Sequence, residues 1–256
     1  MKIHFLGTCA GTEPMPGRKH TAFALEHQGK LYWFDAGEGC SYTAHNLGLD
    51  LLKVEKIILS HPHIDHTGGL ANLLWTIRNL HWLKKTEKMT DIQVYLPVSA
   101  LFEAVMGLLR CHEPNFSLAP YLHPHRIQDG ILFDDGVLRV TAFHNTHMAP
   151  LEEGWRSFSF LIEGEGKRIV YSGDVKRYEE LDPVIGNGCD ALIIETGHFG
   201  IEDVDAYTKD KAIGRIYFNH NGREILNAPH DAATKIRALF GNKAVICYDG
   251  MTETLT

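Results

Sequence analysis

The 256-residue sequence lacks several features that would place it in a specialised class of proteins. It has no apolar run of 18 residues, which argues against a transmembrane helix. Its apolar start, MKIHFLG, is too short for the core of a signal peptide and is typical of a first strand. Its five cysteines never occur in CxxC spacing, which favours reduced thiols over a thiolate metal site. We therefore expect a cytoplasmic protein without a membrane partner.

Basic residues are also scarce. Lys and Arg total 25 against 32 Asp and Glu, which gives a formal net charge of −7, and no block of Lys and Arg predicts a basic face. This pattern argues against non-specific binding of long nucleic acid, although a bound metal could still attract an anionic substrate. With 44% hydrophobic residues and no low-complexity linker, the composition is that of an ordinary globular protein. We expect one domain over residues 1–256.

Histidine, by contrast, is abundant, with 16 copies, and three of them fall in the stretch LSHPHIDHTGGL. The stretch follows EKIILS, an apolar run that predicts a buried strand. His61 and His63 alternate with a proline, so in extended chain their imidazoles point the same way. Asp65 and His66 follow as the chain turns and can face a neighbouring point. The spacing suits two metal ions, and the alternative is a polar loop whose histidines satisfy one another.

Later strands end in side chains that could complete a metal site. TAFHNTH carries His144 and His147, IVYSGD carries Asp174, and IYFNH carries His220. An apolar strand that ends in a metal-binding side chain, repeated three times, predicts a site at the edge of a sheet.

The remaining pattern predicts an α/β fold. Short apolar runs such as KIHFLG, TAFALE, SFSFLIE and ALIIET predict strands, and helical spacing predicts helices over TGGLANLLWTIRNLHWL, SALFEAVMGLLRC and HDAATKIRALF. The segment Pro114 to Pro124 is predicted to be a loop. A mixed sheet with helices outside it is the architecture that this order favours.

The chain resembles the metallo-β-lactamase superfamily in four features. They are the H-x-H-x-D-H motif, a lone His after a strand, the Gly-Asp pair at 173–174 and a His in the last third of the chain. The resemblance implies a four-layer αβ/βα sandwich with metals at one edge of its two sheets. It also implies the ligands: one ion held by His61, His63 and His147, the other by Asp65, His66 and His220, with Asp174 as a bridge. His147 is preferred to His144 because it fits the family's order of His, strand and Gly-Asp. His144 is expected to support the ligands or the local structure without binding a metal.

Four further motifs resemble the ribonuclease Z branch and its phosphodiesterase relatives: FLGTCAGTEPMPGRKHTAFALE, YWFDAGEGC, IETGHF and YDGMT. That branch carries a Gly/Pro-rich arm that grips tRNA and a His-Ser-Thr helix start, and neither motif occurs here. The expected substrate is therefore a small anionic ester or phosphodiester, with RNA as the less favoured alternative.

The hypothesis for the mechanism is a hydroxide held between two divalent ions, Zn with Mn or Fe left open, that attacks the substrate. Asp65 would orient the water or accept its proton. His198 would protonate the leaving oxygen, with Glu195 orienting it, and the alternative is a loop histidine without a part in catalysis. Arg223 is a candidate anion clamp or a surface residue, and Arg18 and Lys19 are weaker candidates for the same role. Asp35, in FDAGEG, buttresses the metal loop or caps a turn.

Other functions stay open from the sequence alone. The same fold could hydrolyse a lactone, thioester or β-lactam, process the 3′ end of tRNA as an endoribonuclease, or serve as a non-enzymatic metal-binding scaffold. A homodimer is a further open arrangement.

Overall fold

The structure is a computed structural model that describes residues 1–86, 91–112 and 121–255. The chain divides into two compact units. The first unit comprises Met1–Gly7, Lys19–Ile127 and Asp249–Thr256, and the second comprises Thr8–Arg18 and Gln128–Tyr248. None of the described helices combines the length and the apolar character needed to cross a membrane.

Within the described residues the chain forms two short 3₁₀ helices, Leu51–Lys53 and Tyr178–Leu181, together with 14 strands and eight α-helices. In chain order they are β1 (Lys2–Gly7), β2 (Ala22–His27), β3 (Lys30–Phe34), α1 (Cys40–Asn46), β4 (Val54–Ile58), α2 (Ile64–Thr67), α3 (Leu70–Lys84), β5 (Ile92–Leu96), α4 (Ser99–His112), β6 (Leu122–Arg126), β7 (Gly130–Asp134), β8 (Arg139–His144), β9 (Phe158–Gly164), β10 (Lys167–Tyr171), α5 (Asp182–Ile185), β11 (Cys189–Glu195), α6 (Ile201–Thr208), β12 (Ile213–Asn219), α7 (Arg223–Asn227), α8 (Pro229–Phe240), β13 (Ala244–Ile246) and β14 (Thr252–Thr254).

The first unit is built on a seven-stranded mixed sheet with the order β14-β1-β2-β3-β4-β5-β6. Strands β1 to β3 pair antiparallel, whereas β3 to β6 pair parallel, because helices connect the later strands. Helices α1, α3 and α4 bury their apolar side chains against the sheet, with Leu73, Leu74 and Met106 in the same core as Trp33 and Ile57. This packing explains the helical spacing of leucines in the sequence.

The second unit is built on another seven-stranded sheet, with the order β13-β12-β11-β10-β9-β8-β7. Strands β7 to β10 pair antiparallel and β10 to β13 pair parallel. The core of this unit joins Leu192, Ile194 and Ile216 of the sheet to Val204 and Ile236 of the helices. The parallel strands β10, β11 and β12 therefore end at the same edge of the sheet, and this edge carries three of the predicted site residues.

The α/β fold class is confirmed, and the predicted strands and the three long helices lie where the sequence placed them. The loop predicted from Pro114 to Pro124 is wrong at its end, because Leu122, His123 and Pro124 belong to β6, while positions 113–120 lie outside the described residues. Strand β6 lies at the end of its sheet and pairs only with β5 in the described chain. Since a proline on an edge strand can direct its missing N–H away from the partner strand, Pro124 is tolerated there.

Candidate metal centre

In the first unit, the histidine-rich stretch forms a compact group of metal-binding side chains directly after β4. The Nε2 atom of His61 lies 3.0 Å from Nδ1 of His63, and the rings of His61 and His66 are 4.0 Å apart. Asp65 Oδ2 lies 3.5 Å from Nε2 of His66. His61, Asp65 and His66 are buried. The loop thus brings all four predicted ligands of this unit into one cluster.

Asp35 holds this cluster in place from behind. Its carboxylate accepts hydrogen bonds from the Ser60 backbone N–H at 2.6 Å and from the Ser60 hydroxyl at 2.7 Å, and its Oδ2 lies 2.8 Å from Nδ1 of His66. All three residues are fully buried. Because Nδ1 of His66 faces a carboxylate, its Nε2 is the nitrogen left to bind a metal. Asp35 therefore supports the metal loop and does not simply cap its own turn.

Two glycines allow the FDAG turn to approach the metal loop. A Cβ atom on Gly69 would lie 2.3 Å from the carbonyl oxygen of Gly37, and one on Gly37 would lie 2.5 Å from the carbonyl oxygen of Asp65. Hydrogen bonds of 2.7 Å from Gly69 N–H to Ala36 O and from Ala36 N–H to His66 O join the two segments. The close approach explains why glycine follows the histidines.

In the second unit, the parallel strands β10, β11 and β12 deliver a second group of ligands to one edge. Each of Asp174, Glu195, His198 and His220 offers one ligand atom, and these atoms all lie within 4.8 Å of one another. Asp174 follows β10, Glu195 ends β11, and His220 follows β12. The sequence therefore placed a carboxylate or imidazole at the end of three neighbouring strands because their carboxyl ends meet.

Asp174 is the centre of this group. Its Oδ2 lies 3.4 Å from Nε2 of His220, 3.8 Å from Nε2 of His147 and 3.9 Å from Nδ1 of His198. The carboxylate is 2% exposed, so its charge is poorly solvated by water. One buried carboxylate that faces three imidazoles is a set of oxygen and nitrogen donors that fits a divalent ion such as Zn²⁺, Mn²⁺ or Fe²⁺.

Glu195 and His198 form a hydrogen-bonded pair beside Asp174. The Oε2 atom of Glu195 lies 2.7 Å from Nδ1 of His198 and also accepts the His198 backbone N–H at 3.2 Å. The second oxygen, Oε1, accepts the Val175 backbone N–H at 2.8 Å, which fixes the carboxylate. The hydrogen bond from Glu195 raises the pKa of His198 above its ordinary value, although burial opposes the shift.

His220 adopts a strained backbone conformation. Its φ is 48°, in the left-handed region that costs a side chain with a Cβ on the order of 1 kcal/mol or more. The following residue is anchored on both sides, because Asn221 N–H donates to Thr8 O at 2.7 Å and Ala10 N–H donates to Asn221 O at 3.1 Å. A Cβ atom on Gly197 would lie 2.4 Å from the His220 ring, so this glycine gives the imidazole its space.

The His147 segment depends on a residue that the sequence did not single out. The Oδ1 atom of Asn145 accepts the His147 backbone N–H at 3.1 Å and the Ser157 hydroxyl at 2.5 Å, and its Nδ2 donates to Ser159 Oγ at 3.1 Å. Asn145 is buried. The signal in the sequence was an asparagine between two histidines in FHNTH, because asparagine can organise its own loop through local hydrogen bonds to the backbone.

The arginines predicted as anion clamps are engaged with the protein. Arg223 forms a two-pronged ion pair with Glu13, at 2.7 Å and 2.5 Å, which raises the pKa of the arginine and lowers that of the glutamate. Arg18 donates at 2.7 Å to the Thr8 hydroxyl and at 2.7 Å to the Cys247 carbonyl oxygen. Both arginines therefore stabilise the segment 8–18 in this structure.

His144 has different neighbours from His147. Its Nδ1 lies 2.6 Å from Oδ2 of Asp129, and its ring stacks on the indole of Trp155. It is absent from the ligand groups of the described residues.

Comparison with solved structures shows which class of protein has this fold. The short form of human tRNase Z (ELAC1) matches with a TM-score of 0.75 at 21% identity, covering 100% of both chains. The metallo-β-lactamase fold protein YhfI from Bacillus subtilis matches with a TM-score of 0.72 at 14% identity, covering 99% of both chains. The chain thus has the metallo-β-lactamase fold and is related to the metal-dependent hydrolases of that fold, as the motifs predicted.

The family follows from sequence comparison. The chain belongs to the family described as "Anti-Pycsar protein Apyc1", whose profile matches residues 1–202. It is also 35% identical over 170 residues to ribonuclease BN of Cronobacter sakazakii, which covers 65% of this chain and 51% of the relative. The chain spans about half the length of the first curated relatives that it matches. The predicted similarity to the ribonuclease Z branch is confirmed.

Proposed function

We propose that this protein is a metal-dependent phosphodiesterase that acts on a small phosphodiester. The observation that carries the proposal is the buried Asp174 carboxylate, which faces three imidazoles at the edge of the second sheet. Support comes from the curated relatives, because their name, ribonuclease, describes enzymes that cleave the phosphodiester bonds of RNA.

The proposed ligand assignment is the one that the metallo-β-lactamase resemblance implies, and it treats residues 1–256 as one catalytic domain. One ion is assigned to His61, His63 and His147, and the other to Asp65, His66 and His220, with Asp174 shared between them. When bound, two such ions would lower the pKa of a water molecule towards neutrality and would offset the charge of the phosphate.

The chain's own residues have separate tasks in this proposal. Asp65 receives the proton of the attacking water. Glu195 holds the His198 imidazole by its Nδ1, and its contact raises the pKa of His198, so that the ring keeps a proton to donate to the leaving oxygen. This pair takes the place of the His-Ser-Thr histidine that the sequence lacks.

A small substrate is favoured over tRNA. The net charge of −7 and the lack of a basic block give little attraction for a long polyanion. Both arginines predicted to bind anions are paired within the protein, which further weakens the case for a large nucleic-acid interface.

The proposal is tested by measuring bound metal and turnover together. Protein purified without chelators is analysed for Zn, Mn and Fe, and the loaded protein is given bis(p-nitrophenyl) phosphate, a precursor tRNA and a panel of lactones and thioesters. We expect about two ions per chain and hydrolysis of the small diester alone. Rapid cleavage of lactones with no turnover of any phosphodiester would overturn the proposal, and cleavage of the tRNA would identify the alternative endoribonuclease.

A further inference from the structure

The outer edge of β13 is the end of the second sheet, and no other strand of the described chain covers it. β13 is the first strand in the sheet order and pairs with β12 alone in that part of the chain. Its three residues, Ala244, Val245 and Ile246, are all apolar, and each remains partly exposed. An uncovered strand edge carries backbone donors and acceptors with which a further strand can pair. The edge is therefore a candidate site for the addition of a strand from outside.

The pairing with β12 shows which backbone groups of β13 point outwards. The Ile216 N–H donates to the Lys243 carbonyl oxygen at 2.9 Å, at the start of the pairing. Because alternate residues of a strand bond to the same neighbour, Lys243 and Val245 direct their backbone groups to β12. The N–H and C=O groups of Ala244 and Ile246 therefore point to the open edge.

A groove of about 570 Å³ lies along this edge, between β13 and α8. Ala233 and Ile236 of α8 line it together with Ala244 and Ile246 of β13. Ala244 and Ile246 also pack against the core that contains Ile236, so the groove continues the apolar core of the second unit to the surface. Clefts that hold ligands have volumes of about 300–1,000 Å³. The groove is thus large enough to receive side chains of an added strand.

The charged side chains of the groove are basic. Arg215 and Arg237 line it together with His230, and none of its described lining residues is Asp or Glu. The whole chain, by contrast, has a net charge of −7. Arg215 donates to the Asn242 carbonyl oxygen, and Arg237 is exposed in the last turn of α8, where it also complements the helix dipole. Carboxylates on a partner would match these charges.

We propose that this groove and the outer edge of β13 bind an acidic, extended segment of a partner protein, which adds to the second sheet as a further strand. The backbone groups of Ala244 and Ile246 provide the pairing. Alternate side chains of an added strand point to opposite faces of the sheet. One set would continue the apolar surface beside α8, and the other would direct its carboxylates to the opposite face, which carries Arg215. The expected partner sequence therefore alternates apolar and acidic residues.

The probe is a capped seven-residue peptide of alternating Glu and Val, labelled for fluorescence anisotropy and titrated with the intact chain. We expect saturable binding that weakens several-fold when about 0.5 M NaCl screens the charges. The peptide in which Lys replaces Glu should not bind at the same concentrations. Equal binding of the Glu and Lys peptides would overturn the acidic assignment. Binding that requires bound metal would overturn the site as well, because Glu carboxylates also bind metal ions.

Backbone methylation tests strand pairing without any change to the protein. In an extended peptide the Val amides point to one edge and the Glu amides to the other. One version is N-methylated at every Val and another at every Glu, so that only one of them loses its hydrogen bonds to β13. We expect that version to bind about tenfold more weakly, the effect of two lost hydrogen bonds, and the other to bind like the parent peptide. Equal affinities of the two methylated peptides would overturn strand addition.

Substitutions in the protein locate the site. Ala244→Pro removes an outward N–H but no bond to β12, an orientation in which an edge strand tolerates proline, and peptide affinity should fall by about 3- to 10-fold. Ala244→Ser keeps the N–H and is the matched control, and urea unfolding checks that both variants are folded. Arg237→Gln should weaken binding by up to about fivefold, whereas Arg139→Gln, an exposed arginine on β8, should not. Wild-type affinity in both Ala244→Pro and Arg237→Gln would overturn the proposal.

A second copy of the chain is the competing occupant of this edge. Sedimentation velocity of wild type and of Ala244→Pro distinguishes it from a partner segment. We expect the two proteins to have the same mass in solution, because the edge is proposed to wait for a different chain. A wild-type dimer that dissociates in Ala244→Pro would show that β13 pairs with its own copy, and it would overturn the assignment of an acidic partner segment.

Discussion

Glu195 holds His198 through a single carboxylate oxygen, which lies 2.7 Å from the ring Nδ1 and 3.2 Å from the backbone nitrogen of the same histidine. The other oxygen is occupied by Val175 N–H, so the carboxylate cannot rotate without breaking a buried bond. The backbone carbonyl of Glu195 in turn accepts the Tyr178 hydroxyl at 2.8 Å. Burial raises the pKa of Tyr178, which keeps this hydroxyl a donor. The imidazole is thus positioned by contacts that join two sequence segments, residues 175–178 and 195–198.

The role of His198 as a proton donor predicts a dependence on the leaving group. His198→Asn should lower kcat by 10²- to 10⁴-fold on a diester with an alkoxide leaving group, the usual value of a general acid. The loss on bis(p-nitrophenyl) phosphate should be small, since p-nitrophenolate leaves without a proton. The measurement is kcat for both substrates in wild type and variant. Equal losses on the two substrates would contradict the proton-donor role.

The position of Asp174 predicts that it matters for both metal content and turnover. Asp174→Asn should lower the number of bound ions and reduce kcat by more than the 10- to 100-fold typical of residues that only support a ligand. His144→Ala is the matched comparison and should keep its ions. Metal analysis of the two purified variants, followed by bis(p-nitrophenyl) phosphate hydrolysis, separates them. Equal loss of ions in both variants would mean that His144, and not His147, is the ligand.

The contact between Gly197 and His220 predicts that one added methyl group is harmful. Gly197→Ala would place a Cβ 2.4 Å from the His220 ring, so either the ring or the loop must move. Overpacking of this kind costs about 1–3 kcal/mol of unfolding free energy, and it should also weaken metal binding. Urea unfolding and metal titration check both effects.

Gly107→Ala is the control for this substitution, because Gly107 lies within α4 and its Cβ would meet nothing within 4 Å. There the exchange should stabilise the protein by up to about 1 kcal/mol through helix propensity. A neutral Gly197→Ala would show that the His220 loop is more adaptable than the structure indicates.

His4 predicts a pH-dependent loss of stability in the first unit. Burial lowers its pKa below the ordinary value, although Glu26 opposes the shift. The folded protein therefore favours the neutral ring, and the unfolded chain takes up the proton more readily as the pH falls below about 6.5. The contribution of His4 is present above that pH and is lost on acidification.

Replacing His4 should flatten this dependence. We expect the unfolding free energy of His4→Asn to fall less between pH 7.5 and 5.5 than that of wild type, measured by urea unfolding at each pH. His230→Asn serves as the control, since the His230 side chain is 95% exposed. If the two variants show the same pH dependence as wild type, the buried ring is not the cause.

Strand ends and ligand types were readable from the sequence because both depend on local pattern. The apolar runs before His61, Asp174 and His220 became β4, β10 and β12, and the parallel pairing of β10 to β12 brings Asp174, Glu195 and His220 to one edge. Alternation and strand propensity carry that information along the chain.

The support of the site was not readable, because it depends on distant contacts. The sequence left Asp35 as a support of the metal loop or a turn cap, and nothing local in it identifies Ser60 and His66 as its partners or places Gly197 under the His220 ring. The ion pair of Arg223 with Glu13 joins residues 210 positions apart, so the sequence left Arg223 as an anion clamp or a surface residue and could not show this exposed ion pair. Strand β6 was missed because His123, Pro124 and His125 hide a strand pattern that only pairing with β5 reveals.

The interleaving of the two units limits how the gene could be divided. A fragment ending at Ile127 would contain β1 to β6 but lose β14, which pairs with β1 through Lys2, Ile3 and His4. A fragment beginning at Gln128 would lose the segment 8–18, whose Thr8 and Ala10 bond to Asn221 beside His220. Each unit therefore includes a segment that is remote from it in sequence. Splitting the protein for complementation would require that segment to be supplied as a separate peptide or moved by circular permutation.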